Sequence, residues 1–282
     1  MTFTGLIGAI CNIPLTGIIR LCIALRISPD MLTFIGVLIN VGAAWELAHG
    51  RFMSAGVWMV VANIFDYIDG KVARERNIVT RFGAFFDSVM DRISDITLFI
   101  GLISLYNRMG SGQGDYVLMT SIAMMFSVMT SYTRARAESL IEKCKVGFLE
   151  RPERIVLFMI GAFTNRMAAV MWVTLVLSIV AVIDRIFFTW RELKAGRSLE
   201  AVQAGTAPAP LPPTQVGPIR KVVTLPGTIL WRGLFWTYER ATWQYDVMVI
   251  TILAFVWLTP PAWLGDPMAM DGQGLLQWLG IL

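Results

Sequence analysis

Four aspartates, Asp66, Asp69, Asp87 and Asp91, stand where an apolar chain has little reason to place charge. Asp66, Asp69, Gly70 and Ala73 follow i, i+3, i+4, i+7, which is one face of a helix. Gly83, Asp87 and Asp91 follow i, i+4, i+8 on the helix that comes next. A tight turn near residues 77–80 is predicted between the two. Counted from that turn, Asp66 and Asp69 lie ~20 and ~15 Å back, and Asp87 and Asp91 ~12 and ~18 Å forward. The four carboxylates are therefore predicted at similar depth on facing helices. The small residues beside them let a flat group approach the backbone. An ionised Asp in mid-span costs ~2.5–3.5 kcal/mol, so four left bare would cost on the order of 10 kcal/mol. Like charges this close also repel and raise each other's pKa. Divalent metal removes both problems, and Mg²⁺ is held by a few carboxylates together with substrate phosphates. A polar network that merely pins helices seldom concentrates four carboxylates. A divalent-metal transporter is the stronger rival, since carboxylates at mid-membrane also serve ions. Arg74, one turn away, opposes cation passage and suits a phosphate.

The elements that must position these residues are membrane helices. The 282 residues are 56% hydrophobic, with a mean hydropathy of +0.62. The apolar residues fall in long blocks, which is the pattern of a polytopic membrane protein. Ser28-Pro29-Asp30 supplies a helix start, with Ser28 as N-cap and Pro29 at the first helical position. Six spans are predicted at 31–47, 54–74, 82–106, 116–133, 153–163 and 167–189, the fifth short for a bilayer of ~30 Å. Residues 3–25 are broken by Asn12, Pro14, Thr16 and Arg20 and read as an amphipathic interfacial helix, with a first span as the alternative. The fold class is thus all-α, a six-helix transmembrane bundle.

Lys and Arg set the orientation. Lys71, Arg74, Arg76 and Arg81 share one side with Arg134, Arg136, Lys143, Lys145, Arg151 and Arg154, and with Arg185, Arg191, Lys194 and Arg197. The opposite loops hold only Arg51, Arg108 and Arg166. The positive-inside rule puts the N-terminus and the aspartates on the cytosolic side. The net charge of +4 reflects these loops and anionic lipid, and no basic-aromatic groove suggests nucleic acid. No cleavable signal peptide is expected, because the start lacks a positive n-region and an A-x-A-like site. Cys11, Cys22 and Cys144 are too few and scattered for a disulfide framework or a metal site. Cys144 lies between Lys143 and Lys145, which would lower its pKa, although a bystander at the membrane edge is the plainer reading. With His49 as the only histidine, a Ser/His or Cys/His pair is not expected.

The run Asp66-x2-Asp69-Gly70-x2-Ala73-Arg74-x8-Gly83-x3-Asp87-x3-Asp91 resembles the full signature of the CDP-alcohol phosphotransferases. Eight fixed residues would arise by chance at roughly 10⁻¹⁰ per starting position. The resemblance covers about residues 1 to 195. It implies that Asp66, Asp69 and Asp87 ligate metal, Mg²⁺ or Mn²⁺, two ions in all. Asp91 would be the general base on the acceptor hydroxyl and would also touch the second metal. Gly70, Ala73 and Gly83 would pack on the CDP moiety, Arg74 would bind its phosphates, and Asp66, Asp69 and Asp87 would share in CDP binding. Two metals can clamp a pyrophosphate and neutralise the leaving CMP, which agrees with four carboxylates at one depth.

A second run narrows the acceptor. Ser131-Tyr132-Thr133-Arg134-Ala135-Arg136-Ala137-Glu138, followed by Glu150-Arg151-Pro152-Glu153-Arg154, resembles the branch of that family that makes phosphatidylinositol phosphate. The resemblance implies an acceptor-phosphate site at Arg134, Arg136, Arg154 and Arg185, the last taken as the arginine ending the sixth span. Arg stands at 134 where that branch often has Lys, which keeps the charge and alters the geometry. The implied donor is CDP-diacylglycerol, with inositol phosphate favoured as acceptor and glycerol phosphate, free inositol or serine as alternatives. The family also implies a homodimer, and a bacterial inner membrane is the expected location. Residues 1–195 are read as the membrane domain, 196–223 as a Pro-rich linker and 224–282 as a membrane-associated extension. Within the extension, 224–236 is expected to be interfacial and 245–264 is long enough for a seventh span.

Overall fold

The computed structural model describes residues 16–144, 146–147, 149–206 and 243–268. The first part of the N-terminal interfacial helix, most of the Pro-rich linker and the interfacial segment 224–236 lie outside the described residues. Every regular element among the described residues is helical. The helices are α1 (Pro29–Ala48), α2 (Phe52–Glu75), α3 (Arg81–Arg108), α4 (Gly114–Glu138), α5 (Arg151–Thr164), α6 (Met167–Lys194), α7 (Leu199–Gln203), α8 (Trp243–Leu258) and α9 (Pro261–Leu264). Residues 16–24 are also helical. Three helices, α1, α4 and α6, are long and apolar enough to cross a membrane. The chain is an integral membrane protein.

The described residues form two compact units, the first holding α1 to α3 with Ala162–Asn165, the second Leu118–Gly161 and Arg166–Ala269. In the first unit, Ser28 caps α1 as expected, its hydroxyl accepting from the Met31 N–H at 3.3 Å, with Pro29 in the first turn. α1 packs along both α2 and α3. The α1–α3 approach is close enough that a Cβ on Gly101 would run into the Ala44 carbonyl oxygen. Small residues at a helix seam allow that approach in lipid, where burial of oil against oil supplies no drive. Trp45, Val57 and Ile100 point outward and are exposed, as lipid-facing side chains are. Arg76 donates from Nη1 to the Ile27 carbonyl at 3.0 Å, tying the α2–α3 turn to the start of α1. Residues 16–24 turn Ile19 and Cys22 onto Leu32, Ile68 and Val72 and leave Ile18, Leu21 and Leu25 exposed, which is an amphipathic arrangement.

In the second unit α4 and α6 each run to a charged end, at Glu138 and Lys194, beyond the predicted 133 and 189. The apolar pattern marks where lipid stops, whereas backbone hydrogen bonding carries the helix on through Arg134 and Arg136. Beyond α6, Arg197 grips Glu192 with two hydrogen bonds of 2.6 and 2.8 Å, and the Leu199 N–H donates to the Leu140 carbonyl at 2.7 Å. α8 and α9 pack against α6, and Arg166 donates to the Thr259 carbonyl at 2.7 Å. The break between α8 and α9 falls at Thr259-Pro260-Pro261, where proline removes donors and disfavours a helical residue before it.

Candidate active site

The carboxylates meet where α2 ends and α3 begins. α2 stops at Arg76, Asn77 turns the chain with φ +53, and Thr80 restarts it by capping the Gly83 N–H at 2.9 Å. This hairpin brings carboxylate oxygens of Asp66, Asp69 and Asp87 within 4.8 Å of one another. Asp69 is 5% exposed, and its Oδ2 accepts from the Thr33 hydroxyl of α1 at 2.6 Å. That bond fixes one carboxylate oxygen, and its partner is the group that sequence reasoning missed. The signal was present: Thr33 is a hydroxyl one turn after Pro29 in the apolar run Met31–Leu38. Asp91 follows one turn after Asp87 and is not among the three clustered groups; its Oδ2 lies 3.7 Å from Arg92 Nη1. Three hard oxygen donors at this separation fit a small divalent cation, whose oxygen ligands gather ~2.0–2.2 Å from it.

The small residues of the motif have visible work. A Cβ on Gly70 would lie 3.2 Å from Arg74 Nη2, so the Arg74 guanidinium rests over the space that glycine leaves. Arg74 is exposed. A Cβ on Gly83 would lie 3.1 Å from the Thr80 hydroxyl and 3.6 Å from Asp30 Oδ1, so glycine keeps that cap compact. Ala73 is half-buried on the same face of α2 as Asp66 and Asp69.

Against that geometry, a family model for CDP-alcohol phosphatidyltransferases matches residues 26–183. The chain belongs to the CDP-alcohol phosphatidyltransferase family. The phosphatidylinositol phosphate synthase of Mycobacterium tuberculosis is 34% identical over 190 residues, covering 62% of this chain and 85% of that protein. The archaetidylinositol phosphate synthase of Methanothermobacter thermautotrophicus is 33% identical over 171 residues, covering 58% and 84%. The crystal structure of the Mycobacterium tuberculosis enzyme with CDP-DAG bound has a TM-score of 0.59 at 30% identity, over 67% of this chain and 96% of that one. The same enzyme in complex with manganese and citrate matches with a TM-score of 0.59 over 67% and 91%. As a CDP-alcohol phosphatidyltransferase, this chain is an enzyme of phospholipid synthesis, and its carboxylate cluster is where a divalent metal fits.

The arginines of the second unit are arranged differently in this CDP-alcohol phosphatidyltransferase. Arg134 donates from Nε to Glu138 at 3.2 Å and from Nη1 to Glu150 Oε1 at 2.7 Å. Arg185 lies inside α6, which runs on to Lys194, and it is 2% exposed. It donates from Nε to the Val146 carbonyl at 3.0 Å and from Nη1 to the Thr130 carbonyl. Its Nη2 is 3.8 Å from Glu150 Oε1. The structure thus brings Arg134 and Arg185 to one carboxylate. Arg154, in the first turn of α5, is 2% exposed. Arg136 is exposed and donates to the Ser139 hydroxyl at 3.2 Å. Cys144 is fully buried, and that burial pushes its thiol up, the reverse of the lowering that its flanking lysines suggest. Arg185 pulls the other way with a smaller effect, so Cys144 is the inert bystander.

Proposed function

We infer that this enzyme transfers a phosphatidyl group from CDP-diacylglycerol to inositol phosphate and releases CMP. The observation that carries the reading is that the chain holds two clusters of opposite sign, each within its own unit. One is three carboxylates within 4.8 Å, the other a guanidinium pair gathered on Glu150. The names of the relatives support the same donor and acceptor. Asp66, Asp69 and Asp87 would hold the metal, taken as two ions of Mg²⁺ or Mn²⁺, with Asp91 as a further candidate ligand. Divalent metal, when bound, neutralises charge on the pyrophosphate and on the departing CMP. Arg74 binds the donor's phosphates, while Gly70, Ala73 and Gly83 let the CDP moiety lie against the backbone. Asp91 takes the proton from the acceptor hydroxyl as its oxygen bonds to the lipid-bearing phosphorus. The bond from that phosphorus to the CMP oxygen breaks in line. Thr33 keeps Asp69 from rotating during that step.

Arg134, Arg154 and Arg185 hold the acceptor's phosphate, each through charge-assisted hydrogen bonds of about 1.5–3 kcal/mol. Arg136 adds to the field that draws the anion in. The architecture we propose is six spans, α1 to α6, with the aspartates and the N-terminus cytosolic, in a bacterial inner membrane and as a homodimer. Residues 1–195 form the catalytic domain, 196–223 the linker and 224–282 the extension. In the extension α8 makes a seventh span, held on α6 through Arg166 and Thr259. The test is purified protein with CDP-diacylglycerol, Mg²⁺ and a panel of acceptors, with lipid products identified. Inositol phosphate should give the product. Equal product from glycerol phosphate, free inositol or serine would reassign the acceptor.

A further inference from the structure

Arg134 and Arg185 already hold an anion. One oxygen, Glu150 Oε1, lies 2.7 Å from Arg134 Nη1 and 3.8 Å from Arg185 Nη2, so a single carboxylate bridges guanidinium groups from α4 and α6. The other donors of Arg185 that make hydrogen bonds are spent on the carbonyls of Val146 and Thr130, which fixes its Nη2 edge toward Glu150. Glu150 immediately precedes α5, and its own carbonyl accepts the Arg154 N–H at 3.2 Å. Its carboxylate therefore belongs to a helix N-terminus, where negative charge is favoured. Two guanidinium edges and a helix N-terminus are what a phosphate monoester would use. Burial differs between the partners: the Arg185 side chain is 3% exposed, whereas that of Glu150 is 26% exposed. A guanidinium that deep needs an anion at all times, while Glu150 has a side open to solvent.

We propose that Glu150 is a resident counter-ion, whose carboxylate occupies the guanidinium edges of Arg134 and Arg185 until the acceptor's phosphate displaces it. The proposal rests on the reading of these arginines as the acceptor-phosphate pocket. It makes Glu150 a specificity determinant. A neutral polyol that pushed the carboxylate aside would cost buried Arg185 its ion pair with Glu150. A phosphate replaces one negative charge by a stronger one and reaches both edges at once. Glu150 thus sets a threshold that only an anionic acceptor crosses, and no bond is made or broken in the exchange.

The test uses the full chain in detergent, with inorganic phosphate as the probe, followed by calorimetry and by thermal shift. Glu150→Gln keeps the volume and removes the charge. It should bind phosphate roughly 2- to 5-fold more tightly, the size of one partly exposed charge pair. It should also be less stable than wild type without phosphate and gain more stability when phosphate is added, as linkage requires. The KM for inositol phosphate should fall by a similar factor, with the KM for the CDP-lipid unmoved. Glu150→Ala should show the same signs, which separates charge removal from any hydrogen bond made by the amide. If the Gln variant folds only in phosphate buffer, that dependence is itself the expected result. Phosphate binding that is equal or weaker in Glu150→Gln, with wild-type binding intact, overturns the proposal and leaves the pocket standing. A wild type that binds no phosphate overturns the pocket and the counter-ion together.

Discussion

The carboxylate cluster and the guanidinium cluster solve opposite electrostatic problems in different ways. At the α2–α3 hairpin, groups of one sign are driven together, with three carboxylates within 4.8 Å. Two such charges ~4 Å apart repel by about 4 kcal/mol at an effective dielectric of ~20, a cost that a bound cation removes. In the α4–α6 unit, Arg134 and Arg185 are already matched by the chain's own anions or carbonyls, through Glu138, Glu150, Val146 and Thr130. The first site is completed by what binds. In the second, Arg134 and Arg185 already share an anion, which on our proposal they must exchange. The difference predicts that damage at the hairpin stops the chemistry, while damage at the arginines weakens one substrate.

The largest effect should come from the hairpin. Asp66→Asn, Asp69→Asn or Asp87→Asn should abolish CMP release from a folded protein, and EDTA should silence the wild type. Full activity in any two of these variants at saturating Mg²⁺ would break the metal assignment. Asp91→Asn comes next, with turnover falling ~10²–10⁴-fold while the CDP-lipid still binds, as for loss of a general base. More than about a tenth of wild-type turnover would be too much for that role.

Thr33→Val sharpens the comparison, because it leaves every charge in place and removes only the bond that orients Asp69. Losing such support should cost roughly 10- to 100-fold in metal affinity or activity. Rescue by high Mg²⁺ would distinguish it from loss of a ligand. Gly101→Ala should leave the site chemistry intact and destabilise the protein by about 1–3 kcal/mol, because the added methyl meets the Ala44 carbonyl. A thermal melt reads it, and an unchanged melting temperature would mean that the α1–α3 seam yields easily. The smallest effect belongs to Arg136→Ala, about 2-fold on acceptor KM and lost at high salt, since an exposed charge is screened.

Much of the carboxylate site was legible in the sequence because its logic is local. Two helices joined by a short turn convert i, i+3 and i, i+4 spacing directly into three dimensions, and Asp66, Asp69 and Asp87 met as their spacing required. Asp91 was read at the same depth but falls outside the tight group, because helix spacing fixes a face and not the distance across a hairpin. Thr33 was not legible as a partner of Asp69, since that contact joins residues 36 apart. The arginine site was less legible for the same reason. The motif named Arg134, Arg154 and Arg185, but the bridging role of Glu150 depends on how α4, α5 and α6 pack. Arg185 was read as the arginine ending the sixth span, and the helix that carries it runs on to Lys194 because hydropathy locates the edge of the lipid and not the last hydrogen-bonded turn. Its burial within α6 also changes the choice of variant: Arg154 and Arg185, each 2% exposed, are poor first targets, whereas Arg134 is 34% exposed on its side chain.

Arg134→Ala therefore gives the most direct test of the division between a site for chemistry and a site for the acceptor. Initial rates of CMP release should be measured with inositol phosphate and CDP-diacylglycerol each varied in turn. The account predicts an acceptor KM raised roughly 10- to 100-fold, a smaller change in kcat, and an unmoved KM for the CDP-lipid. A variant whose CDP-lipid KM rises while its acceptor KM stays at the wild-type value would contradict it.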